Sequence, residues 1–131
     1  MNFTGRTIFP GDISGEALVS KMGISFYGGV DPDTGMITEV GHDLEGQSIA
    51  GKVLVFPSGK GSTVGSYILY RLQKNGKAPL GIINATCETI TAVGCIIAEI
   101  PCVDQVDINQ VESGMLLTMK AEGDQANIVT L

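Results

Sequence analysis

The sequence predicts one α/β domain, a three-layer β/β/α sandwich or part-barrel, over residues 1–131. Three observations lead there. The middle of the chain alternates strand, helix, strand, helix, strand, which implies parallel pairing with right-handed crossovers. Strand-like segments lie on both sides of that block and suggest a second β layer. The length of 131 residues with 44% hydrophobic content suits one buried core. With no Trp and 18 Gly, the packing must be aliphatic and the turns frequent.

In order, Arg6–Phe9 reads as a short strand ended by Pro10-Gly11. Residues 12–23 read as loop, with a turn over Glu16–Val19. Ile24–Tyr27 reads as a strand closed by Gly28-Gly29, and Asp31-Pro32-Asp33-Thr34-Gly35 as a turn. Met36–Val40 alternates like a return strand; Gly41–Gly46 is loop again, with His42 as a loop or interface residue. Lys52–Phe56 is the first strongly buried strand. From Ser62 the pattern turns helical, with Val64, Tyr67, Ile68, Arg71 and Leu72 near one stripe. Arg71 and Lys74 in the last turn, Asn75-Gly76 and then Pro79 end that helix. Leu80–Asn84 is a second buried strand. Thr86 to about Ala98 is a second helix with Ile90, Val93 and Ile97 on one face, and Cys102-Val103 begins a third strand. Met115–Met119 and Ala126–Val129 read as two strands around a Glu122-Gly123-Asp124 turn.

A net charge of −6 argues against general nucleic-acid binding. The charge is unevenly placed. No acidic residue lies between Glu45 and Glu88, where Lys52, Lys60, Arg71, Lys74 and Lys77 all fall. That local positive region suits an anionic small molecule or an acidic partner surface. No apolar leader follows Met1 and no run approaches membrane-spanning length, so a cytoplasmic protein is expected. Cys87, Cys95 and Cys102 sit in apolar or small-residue surroundings. Their spacing fits neither zinc pairs nor compact iron–sulfur runs, so buried free thiols and no metal on this chain are expected.

The segment Val53-Leu54-Val55-Phe56-Pro57-Ser58-Gly59-Lys60-Gly61-Ser62-Thr63 points at chemistry. A buried strand stops at a proline, a small-residue turn follows, and a serine leads into a helix. Such a design exposes a hydroxyl and backbone N–H groups at the positive end of a helix dipole, where anions bind. The segment lacks the glycine spacing of a nucleotide-binding P-loop, and Lys60 is followed by Gly rather than Ser or Thr. It also lacks the dinucleotide fingerprint. Ser62 is the candidate catalytic residue; Lys60, Gly61 and Thr63 are the candidate substrate-binding residues. The same residues also suit a plain helix start, with Ser62 as cap and Lys60 as a solvated lysine.

Gly46-Gln47-Ser48-Ile49-Ala50-Gly51-Lys52 leading into Val53–Ser62 resembles the signature of the aconitase X family small subunit. Gly11–Leu18 and Pro79–Asn84 agree with it, so the likeness spans nearly the whole chain. It is nearest the archaeal branch of that family. The resemblance implies a swivelling β/β/α domain and a heterodimer with a large catalytic subunit holding an iron–sulfur cluster, of the 4Fe-4S kind. It also implies dehydration of (R)-5-phosphomevalonate to trans-anhydromevalonate 5-phosphate in isoprenoid synthesis, with Ser62 as proton acceptor. Bacterial members resemble a cis-3-hydroxy-L-proline dehydratase instead. Unlike true aconitases, the chain has no Arg in the few residues after Ser62. A reading of another class is a non-catalytic anion-binding or regulatory module. An exposed apolar patch beside the Ser62 loop would point to a partner.

Dehydration needs an acid on the leaving hydroxyl and a base at the neighbouring carbon. An open-site iron can serve as the Lewis acid. A serine is a poor base unless its alkoxide is stabilised. One pKa unit is about 1.4 kcal/mol, and a helix N-terminus supplies about 0.3–1, at most about 2 kcal/mol. That covers one or two units, too little near neutral pH. The rest must come from Lys60, loop N–H groups and a partner's charged site with water excluded. The chain alone is therefore expected to be inert.

Overall fold

In the computed structural model, which describes residues Met1–Leu131, seven strands close a barrel in the order β1-β5-β4-β3-β2-β6-β7. The strands are β1 (Asn2–Phe9), β2 (Gly11–Val19), β3 (Val53–Phe56), β4 (Gly81–Asn84), β5 (Cys102–Asp104), β6 (Leu116–Glu122) and β7 (Gln125–Thr130). The helices are a single turn α1 (Phe26–Gly29), α2 (Gly65–Lys74) and α3 (Thr89–Ala98). β2, β3, β4 and β5 run parallel to one another. β1 closes onto β5 and β7, and β6 onto β2 and β7, all antiparallel. The expected parallel centre and second β layer are both present, joined into a closed ring that leaves no free sheet edge.

Each central strand divides its side chains between two cores, as the period of two requires. Val53 and Val55 of β3, Ile83 of β4 and Val103 of β5 point into the barrel with Leu117, Met119 and Ile128. Leu54, Phe56, Ile82 and Cys102 point outward under α2 and α3, where Ile68, Leu69, Leu72 and Cys95 cover them. Fully burying one such aliphatic side chain is worth about 1.5–3 kcal/mol.

The first third departs from the sequence reading. Residues 12–19 are strand, not loop: β2 bonds to β3 on one side and to β6 on the other. Asp12, Ser14 and Glu16 face solvent while Ala17 and Leu18 are buried. Gly15 and the polar residues lower intrinsic strand preference, and the two neighbouring strands override it. Ile24–Tyr27 is not a strand. Ile24 makes one parallel bridge to Gly59, and Phe26–Gly29 forms the turn α1, irregular at Tyr27 and Gly28. Met36–Val40 likewise makes only isolated bridges, Met36 to Ser48 and Ile37 to Val30. The excursion from Ser20 to Lys52 is held by burial of Ile24, Phe26, Val30, Ile37, Leu44 and Ile49 against the outer core. Asp31 forms the expected turn, its carboxylate accepting from Asp33 N–H at 2.9 Å. No helix is long and apolar enough to cross a membrane.

Candidate active site

The Ser62 loop leaves the carboxyl end of β3, the edge where ligands gather in parallel sheets. Its backbone is tied down from two sides. Pro57 O accepts from Ala85 N–H and Thr86 N–H, both at 3.1 Å. Ile24 N–H donates to Ser58 O at 3.3 Å, and Lys60 N–H donates to Ile24 O at 3.0 Å. The two glycines have separate reasons. A Cβ on Gly59 would run into Glu88 Oε1 and Thr91 Oγ1. Gly61 has φ +88°, in the left-handed region, and a Cβ there would meet Ser25 Oγ.

Glu88 is the N-cap of α3, its carboxylate accepting from Ile90 N–H at 2.7 Å and Thr91 N–H at 3.0 Å. The cap of one helix thus forms the wall against which the loop before the other is pressed. Thr91 Oγ1, beneath Gly59, is buried without a hydrogen-bond partner.

Ser62 is exposed, and its Oγ accepts from Val64 N–H at 3.2 Å, while Ser62 O accepts from Gly65 N–H at 2.9 Å. It therefore closes a short turn ahead of α2 and is not the helix cap that the sequence suggested: α2 begins at Gly65, its N-cap position is Val64, and no side chain caps it. That is the hydroxyl's one hydrogen bond; no carboxylate or imidazole of this chain lies within reach to take its proton. Thr63 is exposed beside it, its carbonyl accepting from Ser66 N–H at 3.2 Å.

Lys60 is not the free cation the sequence suggested. Its Nζ donates to Glu39 Oε2 at 3.1 Å. The positive run is answered in the same way elsewhere: Lys52 pairs with Glu16 at 3.0 Å and Arg71 with Asp33 at 3.6 Å. Each carboxylate comes from the first third of the chain, so three of the five cations of the run meet a carboxylate in space, while Lys74 and Lys77 do not. The supporting residues Ser25, Glu39, Glu88 and Thr91 escaped sequence reading. Only Glu88, just ahead of a helical pattern, carried a local signal.

The remaining candidates lie elsewhere. His42 is buried in its loop, with Nδ1 3.0 Å from Leu44 N and 3.1 Å from Asp43 Oδ1, and Nε2 3.0 Å from Gly23 O. Cys87 and Cys102 stand 3.9 Å apart, Sγ to Sγ, and all three cysteines are free thiols. Contact with Cys102 and burial push the Cys87 thiol far above its ordinary value. Cys102 is raised too: its contact with Cys87 acts the other way, but Cys95 and burial outweigh it. No group of three or more His, Cys, Asp or Glu side chains gathers as a metal site.

One feature borders the loop directly. A groove of about 600 Å³ runs between α2 and α3 from Thr63 and Val64, past Tyr67 and Tyr70, to Ile90, Val93 and Ile97. The face of α3 bearing Val93 and Ile97 is therefore exposed, and the buried face carries Thr91, Gly94, Cys95 and Ala98 instead. Gly94 allows this close pairing, since a Cβ there would run into Leu69 Cδ1.

Comparison with known proteins agrees with this architecture. The family described as the aconitase X swivel domain matches residues 2–130. The phosphomevalonate dehydratase small subunit of Thermococcus kodakarensis is 51% identical over 129 residues, covering 98% of this chain and 97% of that protein. The protein of the same name from Methanosarcina acetivorans is 59% identical over 109 residues, 83% of this chain and 76% of that one. The crystal structure of Thermococcus kodakaraensis aconitase X in its holo form superposes with a TM-score of 0.94 at 50% identity, covering 98% of both chains. A closed barrel, a tied-down loop after its first central parallel strand, and a family match from end to end place this chain in the aconitase X swivel-domain family.

Proposed function

We propose that this chain is the small subunit of a phosphomevalonate dehydratase, a hydro-lyase that works only with a large subunit. The observation that carries the reading is the set of relatives of that name from Thermococcus and Methanosarcina, about half or more identical over most of the chain. The site geometry supports it. A tied-down loop offers the exposed hydroxyls of Ser62 and Thr63 just ahead of a helix and no base of its own, as half of a shared site would.

The proposed reaction removes water from (R)-5-phosphomevalonate to give trans-anhydromevalonate 5-phosphate. Ser62 Oγ takes the proton from the carbon next to the one bearing the hydroxyl. That C–H electron pair becomes the new double bond, and the hydroxyl leaves as water with a proton from an acid on the partner. The N–H groups at the start of α2 stabilise negative charge on Oγ. Lys60 and the N–H groups of Gly61 and Thr63 receive the phosphate or carboxylate.

An iron–sulfur cluster does not fit this chain: Cys95 and Cys102 are buried, Cys87 is half-buried against Cys102, and no donor set gathers at the loop. The cluster is assigned to the large subunit. The test is anaerobic reconstitution of the two subunits, comparing wild type with Ser62→Ala, and profiling phosphomevalonate against cis-3-hydroxy-L-proline. Turnover of phosphomevalonate that collapses in the intact Ser62→Ala complex supports the reading. Near-normal turnover in that variant ends the proton-acceptor role, and a preference for the hydroxyproline ends the substrate assignment.

A further inference from the structure

We infer that the groove between α2 and α3 is where the large subunit docks, with Tyr67 and Val93 as its anchors. The inference rests on the proposed two-subunit enzyme and adds the surface that joins it. The first ground is the composition of α3. Thr89–Ala98 contains no charged residue, yet Val93, Ile96 and Ile97 are 43%, 50% and 42% exposed. A helix apolar on both faces belongs to a structure that covers both. The barrel covers one.

The second ground is α2, which faces it across the groove. Val64, Tyr67 and Tyr70 are exposed, Tyr67 by 67%. Tyrosines standing beside aliphatic side chains are what protein interfaces enrich, and a contiguous patch of this kind marks an interaction site. The third ground is position. The groove begins at Thr63 and Val64, next to Ser62, so a chain that completes the Ser62 site must lie over this end of it. Continuity with the catalytic loop favours the large subunit over a second copy of this chain, which would cover the loop and close it.

Charge agrees. No charged residue lines the groove, and its rim carries Lys74, whose Nζ sits 5.4 Å from the Tyr70 ring centroid and pairs with no carboxylate. The partner surface is therefore apolar at its centre with an acidic side chain near Tyr70. A lipid surface is disfavoured, because a chain of net charge −6 with one cation at this rim is repelled by anionic headgroups.

The experiment measures association and turnover separately in the reconstituted pair, for wild type, Tyr67→Glu and Val93→Glu, with Leu116→Glu as an exposed apolar control on β6. Circular dichroism and melting of each free small chain confirm folding. The expected result is at least about a tenfold weaker association for both groove variants, the loss seen when a central interface side chain is removed, with no change for Leu116→Glu. Turnover returns toward wild type when the large subunit is in excess, which separates docking from chemistry. Wild-type association in either folded groove variant overturns the inference, as does failure of the wild-type chains to associate. A small-chain homodimer that Tyr67→Glu dissociates overturns it in favour of self-association. A wild-type pair that associates but does not dehydrate phosphomevalonate overturns the reaction and leaves the docking surface standing.

Discussion

Lys60 Nζ lies 3.1 Å from Glu39 Oε2, an ion pair across 21 residues of sequence at the edge of the candidate active site. The lysine is about half exposed and the glutamate about a quarter. Water screens such a pair, so its stability contribution is about 0–1 kcal/mol. The lysine can therefore be drawn to a stronger anion at little cost. Lys60→Ala in the reconstituted complex is expected to raise KM for a phosphorylated substrate by about 10–100-fold, the scale of one charge-assisted hydrogen bond, with a smaller change in kcat. Steady-state kinetics at two salt concentrations check it; an unchanged KM removes Lys60 from the binding site.

Ser62 has two roles that one substitution separates. An asparagine side chain makes the same turn bond to the backbone N–H two residues on but has no hydroxyl. Ser62→Asn is expected to melt within about 0.5 kcal/mol of wild type, since the residue is exposed and its turn bond to Val64 N–H is replaced. Turnover is expected to fall by about 100-fold or more, the scale of general-base catalysis. If Ser62→Asn and wild type turn over alike, the serine only closes the turn.

Gly59 is the tightest point of the loop. Gly59→Ala forces a methyl against Glu88 Oε1 and Thr91 Oγ1 and so strains the cap of α3. The expected cost is about 1–3 kcal/mol in chemical denaturation, with turnover reduced because the loop shifts. Gly59→Ala in a Thr91→Ala background should recover part of the loss by opening the space. Equal losses with and without that second change remove the packing argument.

Asp104 of β5 ties β1 and the loop between β4 and α3 together. Its carboxylate accepts from Arg6 Nε at 2.9 Å, Arg6 Nη2 at 2.8 Å and Cys87 N–H at 2.8 Å. Burial alone would raise its pKa, but these bonds and the Arg6 charge hold it below the ordinary aspartate value. A carboxylate depressed in the folded state stabilises above its unfolded pKa, about 3.9, and that share is lost as pH falls through the folded value. Asp104→Asn is expected to lower stability at neutral pH by about 1–3 kcal/mol. Wild type and variant should converge under strong acid. Urea melts from pH 7 to pH 2 check it; a constant gap across that range is the contrary result.

The thiols should be slow. Cys87 is held protonated by Cys102 and burial, and Cys95 and Cys102 are fully buried. Thiolate is the reactive form, so alkylation by iodoacetamide at neutral pH is expected to lag far behind a free thiol and to accelerate on unfolding. Rapid labelling of Cys87 in the folded chain would show its loop to be open.

Much of this was legible in the sequence where the signal is local. Val53–Phe56, Gly81–Asn84 and Cys102–Asp104 are buried on both faces, so their runs are apolar, up to Asn84 and Asp104 at the ends of the last two, and easy to read. The turns at Pro10-Gly11, Asp31–Gly35 and Asn75-Gly76 carry their own backbone chemistry. The Ser62 loop, the family resemblance and the prospect of a partner were readable for the same reason: adjacent residues form one motif.

Tertiary structure decided what depends on residues distant in sequence. Gly11–Val19 is a strand because β3 and β6 bond to it from both sides, not because its own residues prefer that state. The cationic run from Lys52 to Lys77 looked open, since its carboxylates Glu16, Asp33 and Glu39 lie in another third of the chain. The stripe Ile90–Val93–Ile97 gave a helix but not its orientation. Periodicity reports that a face is apolar, and only the barrel's position shows that this one is turned outward beside Ser62.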